Sequence, residues 1–338
     1  MAQQTAFVTG ATGLLGNNLV RELLDQGYRV KALVRSMAKA EQQLQGLADI
    51  ELILGDMQDV AAFAPALAGC DVLFHTAAFF RDNYKGGSHW PMLEKINVLG
   101  TAELLAQAYA QGVRRFVQTS SIAVLDGPPG GLVDETHLRT LEDADDYYRS
   151  KILADRKVDD FVQTHPDMFA CFVLPGWMWG PGDRGPTSSG QTALDTVNGK
   201  IPGLVPGSFS VVDARDVALI QIAAAQRGRC GERYLAAGRH MTMAELIPLI
   251  GRLAAVPTPT RTLPMPLLYV IAGVQELYAR LTGKPILLSL STVRLLAREA
   301  DRSHFSAAKT QQELHIDFRP VEVTVADTLQ WFKTNAQS

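Results

Sequence analysis

The sequence predicts an α/β fold: a doubly wound parallel sheet followed by a smaller, mostly helical C-terminal lobe. Three observations carry this expectation. Short runs rich in Val, Ile, Leu and Phe alternate with longer amphipathic stretches over the first 175 residues. A glycine-rich loop lies between the first such run and the first amphipathic stretch. After Pro175 the alternation gives way to a Gly- and Pro-rich segment and then to helical periodicity.

The apolar runs at 5–10, 29–35, 50–54, 72–76, 115–120 and 169–174 are nearly continuous, which suits strands of a parallel sheet covered on both faces. Between them, 14–26, 92–110 and 146–164 repeat apolar positions at three and four residues and read as helices. Strand, helix, strand repeated in this way implies right-handed crossovers. Residues 175–186 are so rich in Gly and Pro that they read as an ordered loop. Residues 211–226 then read as a strand end and a helix, and 233–237 as one more strand. From Met241 onward the pattern is helical, with breaks at Pro257, Pro259, Pro264, Pro266 and Pro285. The expected division is a first unit over 1–175, its sheet completed by parts of 208–238, and a second lobe formed by 176–207 and 239–338.

Apolar residues make up 47% of the 338 and charged residues 20%, an ordinary globular balance. The net charge is −3 and Lys and Arg form no long block, so composition indicates neither nucleic acid nor membrane and leaves a small molecule as the ligand. Cys70, Cys171 and Cys230 lie far apart, without CxxC or metal-ligand spacing, and read as buried thiols in a reducing compartment. The N-terminus lacks a basic segment followed by an apolar one. The most apolar stretch, 263–274, contains Pro264 and Pro266 and falls short of the roughly 20 residues that span a bilayer. A cytoplasmic protein without a bound metal is the expectation.

The loop Thr9-Gly10-Ala11-Thr12-Gly13-Leu14-Leu15-Gly16 follows the first strand and opens the first helix. Gly10 allows a tight turn, Gly13 lets the backbone approach a pyrophosphate, and Gly16 lets helix pack on strand. Amides at the helix N-terminus then meet the phosphate charge, which places Thr12, Leu14 and Leu15 among the cofactor contacts of a Rossmann-type unit. At the end of the second strand, where Asp or Glu would serve the ribose hydroxyls of NAD, stands Arg35. A guanidinium there can grip a 2′-phosphate, with Lys39 as a second cation, so NADP is favoured over NAD; a solvated basic face is the other reading. Asp56, followed by Met57 after the third strand, accepts from an adenine amino group or forms a turn or cap. Ala77 and Ala78 bring small residues to the end of the fourth strand, where ligands of such sheets sit. Thr119 and Ser120 after the fifth strand, and Pro175, Trp177 and Met178 after the sixth, complete this expected edge. Trp177 and Trp179 suit a stacked ring or an apolar pocket wall, or a packed loop.

Tyr147 and Lys151 stand four residues apart in a helical stretch and so share one face. A cation beside a phenol lowers a pKa of about 10, making Tyr147 an acid/base candidate.

The motifs TGATGLLG (9–16), GD (55–56), HTAA (75–78), NVLGT (97–101), TSSIAVL (119–125) and YYRSK (147–151) occur in this order. Over residues 7–216 the chain thereby resembles an extended short-chain dehydrogenase/reductase of the epimerase/dehydratase superfamily, on its dihydroflavonol-reductase-like branch. The resemblance implies a catalytic Tyr147, with Lys151 lowering its pKa and holding the nicotinamide ribose. It also implies a catalytic hydroxyl from the Thr119-Ser120-Ser121 run, with Ser121 chosen and Ser120 the alternative. Tyr148 lies about 100° away around the helix and reads as packing or substrate-facing. Asn97 matches an asparagine that supports the active site, or is a cap or ordinary buried amide. Asp213 or Asp216 matches a helix cap, and a homodimer is a family-level expectation.

In this family a sugar dehydratase would carry an acid right after the active-site hydroxyl, whereas Ser121 is followed by Ile122 and Ala123. Epimerases commonly prefer NAD, against Arg35. The expected function is NADP(H)-dependent reduction of a ketone or aldehyde, apolar or aromatic, with the corresponding alcohol as the reverse substrate. The alternatives are a nucleotide-sugar epimerase using bound NAD(P) and a non-catalytic NADP-binding regulator.

Overall fold

The computed structural model describes residues 3–80, 89–282, 290–299 and 302–335. The strands are β1 (Thr5–Thr9), β2 (Arg29–Val34), β3 (Ile50–Leu54), β4 (Val72–His75), β5 (Arg115–Thr119), β6 (Phe169–Pro175), β7 (Trp177–Trp179), β8 (Ser208–Asp213), β9 (Arg233–Ala236) and β10 (Arg239–Thr242). The helices of the first part are α1 (Leu14–Asp25), α2 (Met37–Leu44), α3 (Trp90–Leu93), α4 (Gly100–Ala110) and α5 (Asp146–Thr164). Those that follow are α6 (Ser188–Val197), α7 (Ala214–Arg227), α8 (Met243–Ala254), α9 (Met265–Thr282), α10 (Leu290–Glu299), α11 (Ala308–Leu314) and α12 (Val321–Asn335).

Seven strands form a parallel sheet in the order β3-β2-β1-β4-β5-β6-β9. The near-continuous apolar runs follow from burial of both faces. Along β1, Ala6 and Val8 enter one core while Phe7 enters the other, because successive side chains point to opposite sides of a strand. The first core is closed by α1, α7 and Leu314 of α11, and the second by α4 and α5. Strand order reverses between β1 and β4, which opens a crevice beyond their carboxyl ends.

Four expectations need correction. Residues 175–186 are not all loop: β6 runs to Pro175 and β7 pairs in parallel with β8. A Cβ on Gly176 would stand 2.4 Å from the Ser210 carbonyl oxygen; this glycine is what lets the strands approach, so the residue type that suggested a loop instead permits a sheet. The part of 208–238 that joins the large sheet is β9, as the division into units anticipated, while 208–213 forms β8, the centre of a second sheet, β10-β8-β7. The helical C-terminal region is therefore preceded by β10 at Arg239–Thr242, and α8 begins at a Thr242–Glu245 capping box. The helix expected over 92–110 is broken into α3, a π-helical segment Glu94–Leu99 and α4. Finally, Cys70 and Cys171 are buried but Cys230 is exposed, because it lies in the turn region between α7 and β9 rather than in either core.

Of the expected proline breaks, Pro257 and Pro259 fall between α8 and α9 and Pro264 just before α9. Pro266 sits in the first turn of α9, where a missing N–H costs nothing. Pro285 lies outside the described residues.

The small sheet packs on α6, α8 and α12 around Trp179, which is fully buried. We expect Trp179→Ala to cost about 3–5 kcal/mol, read as a lower urea midpoint, and to cost clearly more than Trp177→Ala at the half-buried neighbouring position. Equal losses would contradict the assignment of Trp179 as the centre of this core.

Candidate active site

The carboxyl ends of β1, β2, β3, β4, β5 and β6 carry Thr9, Val34, Leu54, His75, Thr119 and Pro175, so the sequence-derived residues that follow these strands share one edge of the sheet, while Lys39, Asn97, Tyr147 and Lys151 come from helical segments. In the glycine loop, Gly10 has φ +68° and a Cβ there would come within 2.8 Å of the Ala77 amide nitrogen. The Gly13 N–H donates to the Gly10 carbonyl at 2.9 Å, and a Cβ on Gly16 would stand 2.2 Å from the same oxygen. Helix α1 begins at Gly13 with no side-chain cap. Backbone amides at a helix start without a competing side-chain acceptor fit a dinucleotide phosphate. Leu14 and Leu15 turn their side chains into the core, so any contact from them is through the backbone.

Thr9 ties this loop to β4. Its hydroxyl accepts from the amides of Thr76 and Ala77, both at 3.1 Å, and lies 2.7 Å from His75 Nδ1. His75 Nε2 lies 3.0 Å from Thr101 Oγ1, which itself donates to the Asn97 carbonyl. With Thr101 already donating, the imidazole carries its proton on Nε2 and accepts at Nδ1. Burial, and secondarily the Lys151 charge, lower the pKa of His75 to about 3, so it is neutral at physiological pH. Ala77 is half-buried and Ala78 exposed beyond it.

Asn97 lies in the π-helical segment and is buried. Its Oδ1 accepts from the Phe79 N–H at 2.7 Å, and its Nδ2 donates to the Phe79 carbonyl at 2.9 Å and to Ser150 Oγ at 3.1 Å. The amide thus clamps the chain leaving β4 against α5. Phe80, beside the clamped residue, packs edge-on against the Tyr147 ring with centroids 4.7 Å apart.

Tyr147 opens α5 together with Tyr148, after the N-cap Asp145, whose carboxylate accepts from the Tyr148 N–H. Tyr148 faces elsewhere: the buried Arg139 guanidinium lies over its ring at 4.8 Å. One turn after Tyr147, the buried Lys151 ammonium donates to the Thr119 carbonyl at 2.9 Å. Burial lowers its pKa to about 8, opposed by Asp155. Asp155, one turn further, is buried, and burial raises its pKa to about 6, opposed by Arg233, Ser120 and Lys151.

The two serines after β5 are used differently. Ser120 is buried and its hydroxyl donates inward to Asp155 Oδ2 at 2.5 Å. Ser121 is half-buried, and its Oγ accepts from the Ala123 N–H at 3.1 Å, capping the 3-10 turn Ile122–Val124. Thr119 Oγ1 accepts from Gln221 on α7 at 2.6 Å.

The remaining sequence-derived residues lie around this edge. Arg35 and Lys39 are exposed, Lys39 in the first turn of α2, a turn without an acidic residue at the start of a helix capped by Ser36. Asp56 accepts from the Gln58 N–H at 2.8 Å in a local turn, and Met57 is buried. Trp177 donates from Nε1 to Ser188 at 3.0 Å and packs edge-on against Trp179. Met178 packs onto the first core. Asp213 caps α7, whereas Asp216 is ion-paired with Arg319. Sequence reasoning missed Asp155 and Gln221. Asp155 had a signal, since it lies four residues after Lys151 on the same helical face; nothing in the sequence marked Gln221.

Residues 6–237 match the model of the NAD dependent epimerase/dehydratase family. The chain is similar to "Sterol demethylase protein B" of Methylococcus capsulatus, 33% identical over 337 residues, covering 97% of this chain and 98% of that one. It is likewise similar to a "Putative dihydroflavonol 4-reductase" of Synechocystis sp., 32% identical over 339 residues, covering 97% and 94%. Among solved structures, "Crystal structure of gox2253" superposes with a TM-score of 0.84 at 31% identity over 99% of both chains.

Lys151 is pulled down by burial and held up by Asp155, so its titration reports on the pair. Its folded pKa lies below the ordinary lysine value of 10.5; burying the ammonium therefore costs stability below about pH 8, and that cost fades as pH rises from about 8 towards 10.5. Asp155→Asn keeps an acceptor for Ser120 but removes the negative charge. We expect the Lys151 midpoint, followed by NMR of the lysine Cε, to move further down. An unchanged midpoint would refute the coupling.

Proposed function

The chain belongs to the NAD dependent epimerase/dehydratase family, and on that premise we propose that it is an NADP(H)-dependent carbonyl reductase acting on an apolar or aromatic ketone or aldehyde. That it is an NAD(P)-dependent oxidoreductase follows from the family and from its reductase relatives. The observation that carries the finer reading is the division of labour after β5: Ser120 is turned inward to Asp155, leaving Ser121 beside the helix that holds Tyr147 and Lys151.

The glycine loop Gly10–Gly16 and the small residues after β4 would hold the dinucleotide, whose nicotinamide would supply the hydride. The Ser121 hydroxyl and the Tyr147 phenol hydrogen-bond the substrate carbonyl oxygen, and Tyr147 gives that oxygen its proton as negative charge develops on it. Lys151, held on the Thr119 carbonyl, lowers the Tyr147 pKa from one turn away and presents its remaining N–H groups to the nicotinamide ribose. Asn97 keeps the segment at Phe79 and Phe80 against Tyr147. Ile122 and Ala123 follow Ser121, so no carboxylate stands there to assist an elimination. Arg35 and Lys39 receive the 2′-phosphate. A lysine in the first turn of α2, without an acid to offset it, is unfavourable with the helix dipole alone and becomes favourable when an anion binds there.

With NADPH and a panel of ketones and aldehydes, we expect absorbance loss that falls by about a hundredfold or more in Tyr147→Phe while NADPH binding is retained. Turnover of a nucleotide sugar without net cofactor consumption would overturn the reductase reading in favour of an epimerase. Separately, Arg35→Ala should raise the NADPH dissociation constant by about tenfold or more, the worth of a charge-assisted contact, and leave that of NADH nearly unchanged. Equal effects on both cofactors would refute the 2′-phosphate assignment.

A further inference from the structure

Helix α9 is apolar on two opposite faces. One face, with Leu268 and Ala272 buried, packs with Val293 of α10 and with Leu263 and Val205. The other carries Leu267, Val270, Val274, Leu277, Tyr278 and Leu281, all exposed, with Leu281 77% and Val270 and Val274 63% accessible. At about 100° per residue these six positions fall within an arc of about 100°. This is a continuous stripe rather than scattered surface residues. A helix that is apolar all round is ordinarily buried all round, and a contiguous apolar patch of this kind marks an interaction surface.

The charge around it says which kind. Between residues 252 and 298 the sequence carries six Arg or Lys against one acidic residue, Glu276, in a chain whose total is −3. Arg252, Arg261 and Arg294 are exposed, Arg261 four residues before α9 and Arg294 on the helix packed against it, whereas Arg298 of that helix is paired with Asp143. The net charge of the whole chain conceals this local excess, which Asp143, paired with Arg298, and Glu299 at the end of α10 offset only in part. Apolar stripe, interfacial tyrosine and flanking arginines together are the signature of a helix lying in the plane of an anionic bilayer surface. A cationic surround disfavours pairing with an identical copy, which would bring like charges together. Among the described residues no helix is long and apolar enough to cross a membrane, so contact would be peripheral. We propose that the exposed face of α9 docks the protein on anionic lipid surfaces. This inference is independent of the reductase reading.

The test is co-sedimentation of the full chain with phosphatidylcholine vesicles, with and without phosphatidylserine, at low and high salt, alongside sedimentation-velocity measurement of its oligomeric state. We expect binding to the phosphatidylserine vesicles that weakens with salt, and a partition at least about tenfold lower in Leu277→Glu/Leu281→Glu and in Arg261→Glu/Arg294→Glu. Both variants change exposed positions, and unchanged thermal midpoints and NADPH binding would show that they remain folded. Failure of the parent protein to sediment with any vesicle would overturn the proposal. So would equal binding to neutral and anionic vesicles, or a dimer that Leu277→Glu/Leu281→Glu converts to monomer without vesicle binding by the parent.

Discussion

A buried ammonium is the constraint on which the site depends. Lys151 has left water, and an isolated cation in an apolar interior is costly. Two groups offset that cost: the Thr119 carbonyl, which accepts its hydrogen bond, and the Asp155 carboxylate, one turn along α5. The bond to Thr119 sews α5 to the end of β5. Once that distance is set, Tyr147 one turn earlier and Ser121 two residues after Thr119 have little freedom. Asp155 then fixes the intervening residue by taking the Ser120 hydroxyl. The carboxylate that offsets the buried charge thus holds Ser120 inward, while Ser121 remains at the half-buried surface. The field of Lys151 reaches further, helping to keep His75 neutral across the neighbouring strand.

The opposite wall of the crevice is built from small groups rather than charges. Gly10 lies too close to Ala77, and Gly16 too close to Gly10, for any side chain. Thr9 turns its hydroxyl to the two amides that follow β4 and to His75, whose other nitrogen reaches Thr101. Thr101 returns the chain of bonds to Asn97, and Asn97 holds Phe79 and Ser150. β1, β4, the π-helical segment and α5 are thus joined by one polar network running behind the crevice. Buried polar groups satisfied in this connected way hold a single arrangement more firmly than apolar packing alone.

The large sheet was legible because both of its faces are buried. Burial of Ala6 and Val8 on one side and Phe7 on the other forces unbroken apolar runs, and those runs are visible in one dimension. The second sheet was not legible. β7 is three residues long between glycines, and its partner β8 lies 29 residues further on; a strand that exists through a distant partner leaves no periodicity of its own. The split of 92–110 into α and π turns was hidden for a similar reason, since the apolar spacing of three and four persists across it while the hydrogen bonding changes.

The sequence by itself determined the crossover topology, the glycine loop, and the identity and shared face of Tyr147 and Lys151, because these rest on local spacing and backbone conformation. Tertiary structure alone decided what those residues meet: that Ser120 is turned inward to a carboxylate, that Trp179 centres a separate core, and that one apolar face of α9 is covered while the other is not. The physical reason is that burial, with the pKa shifts and orphaned surfaces it creates, depends on which distant segments arrive beside a residue, and residue order along the chain does not contain that distance.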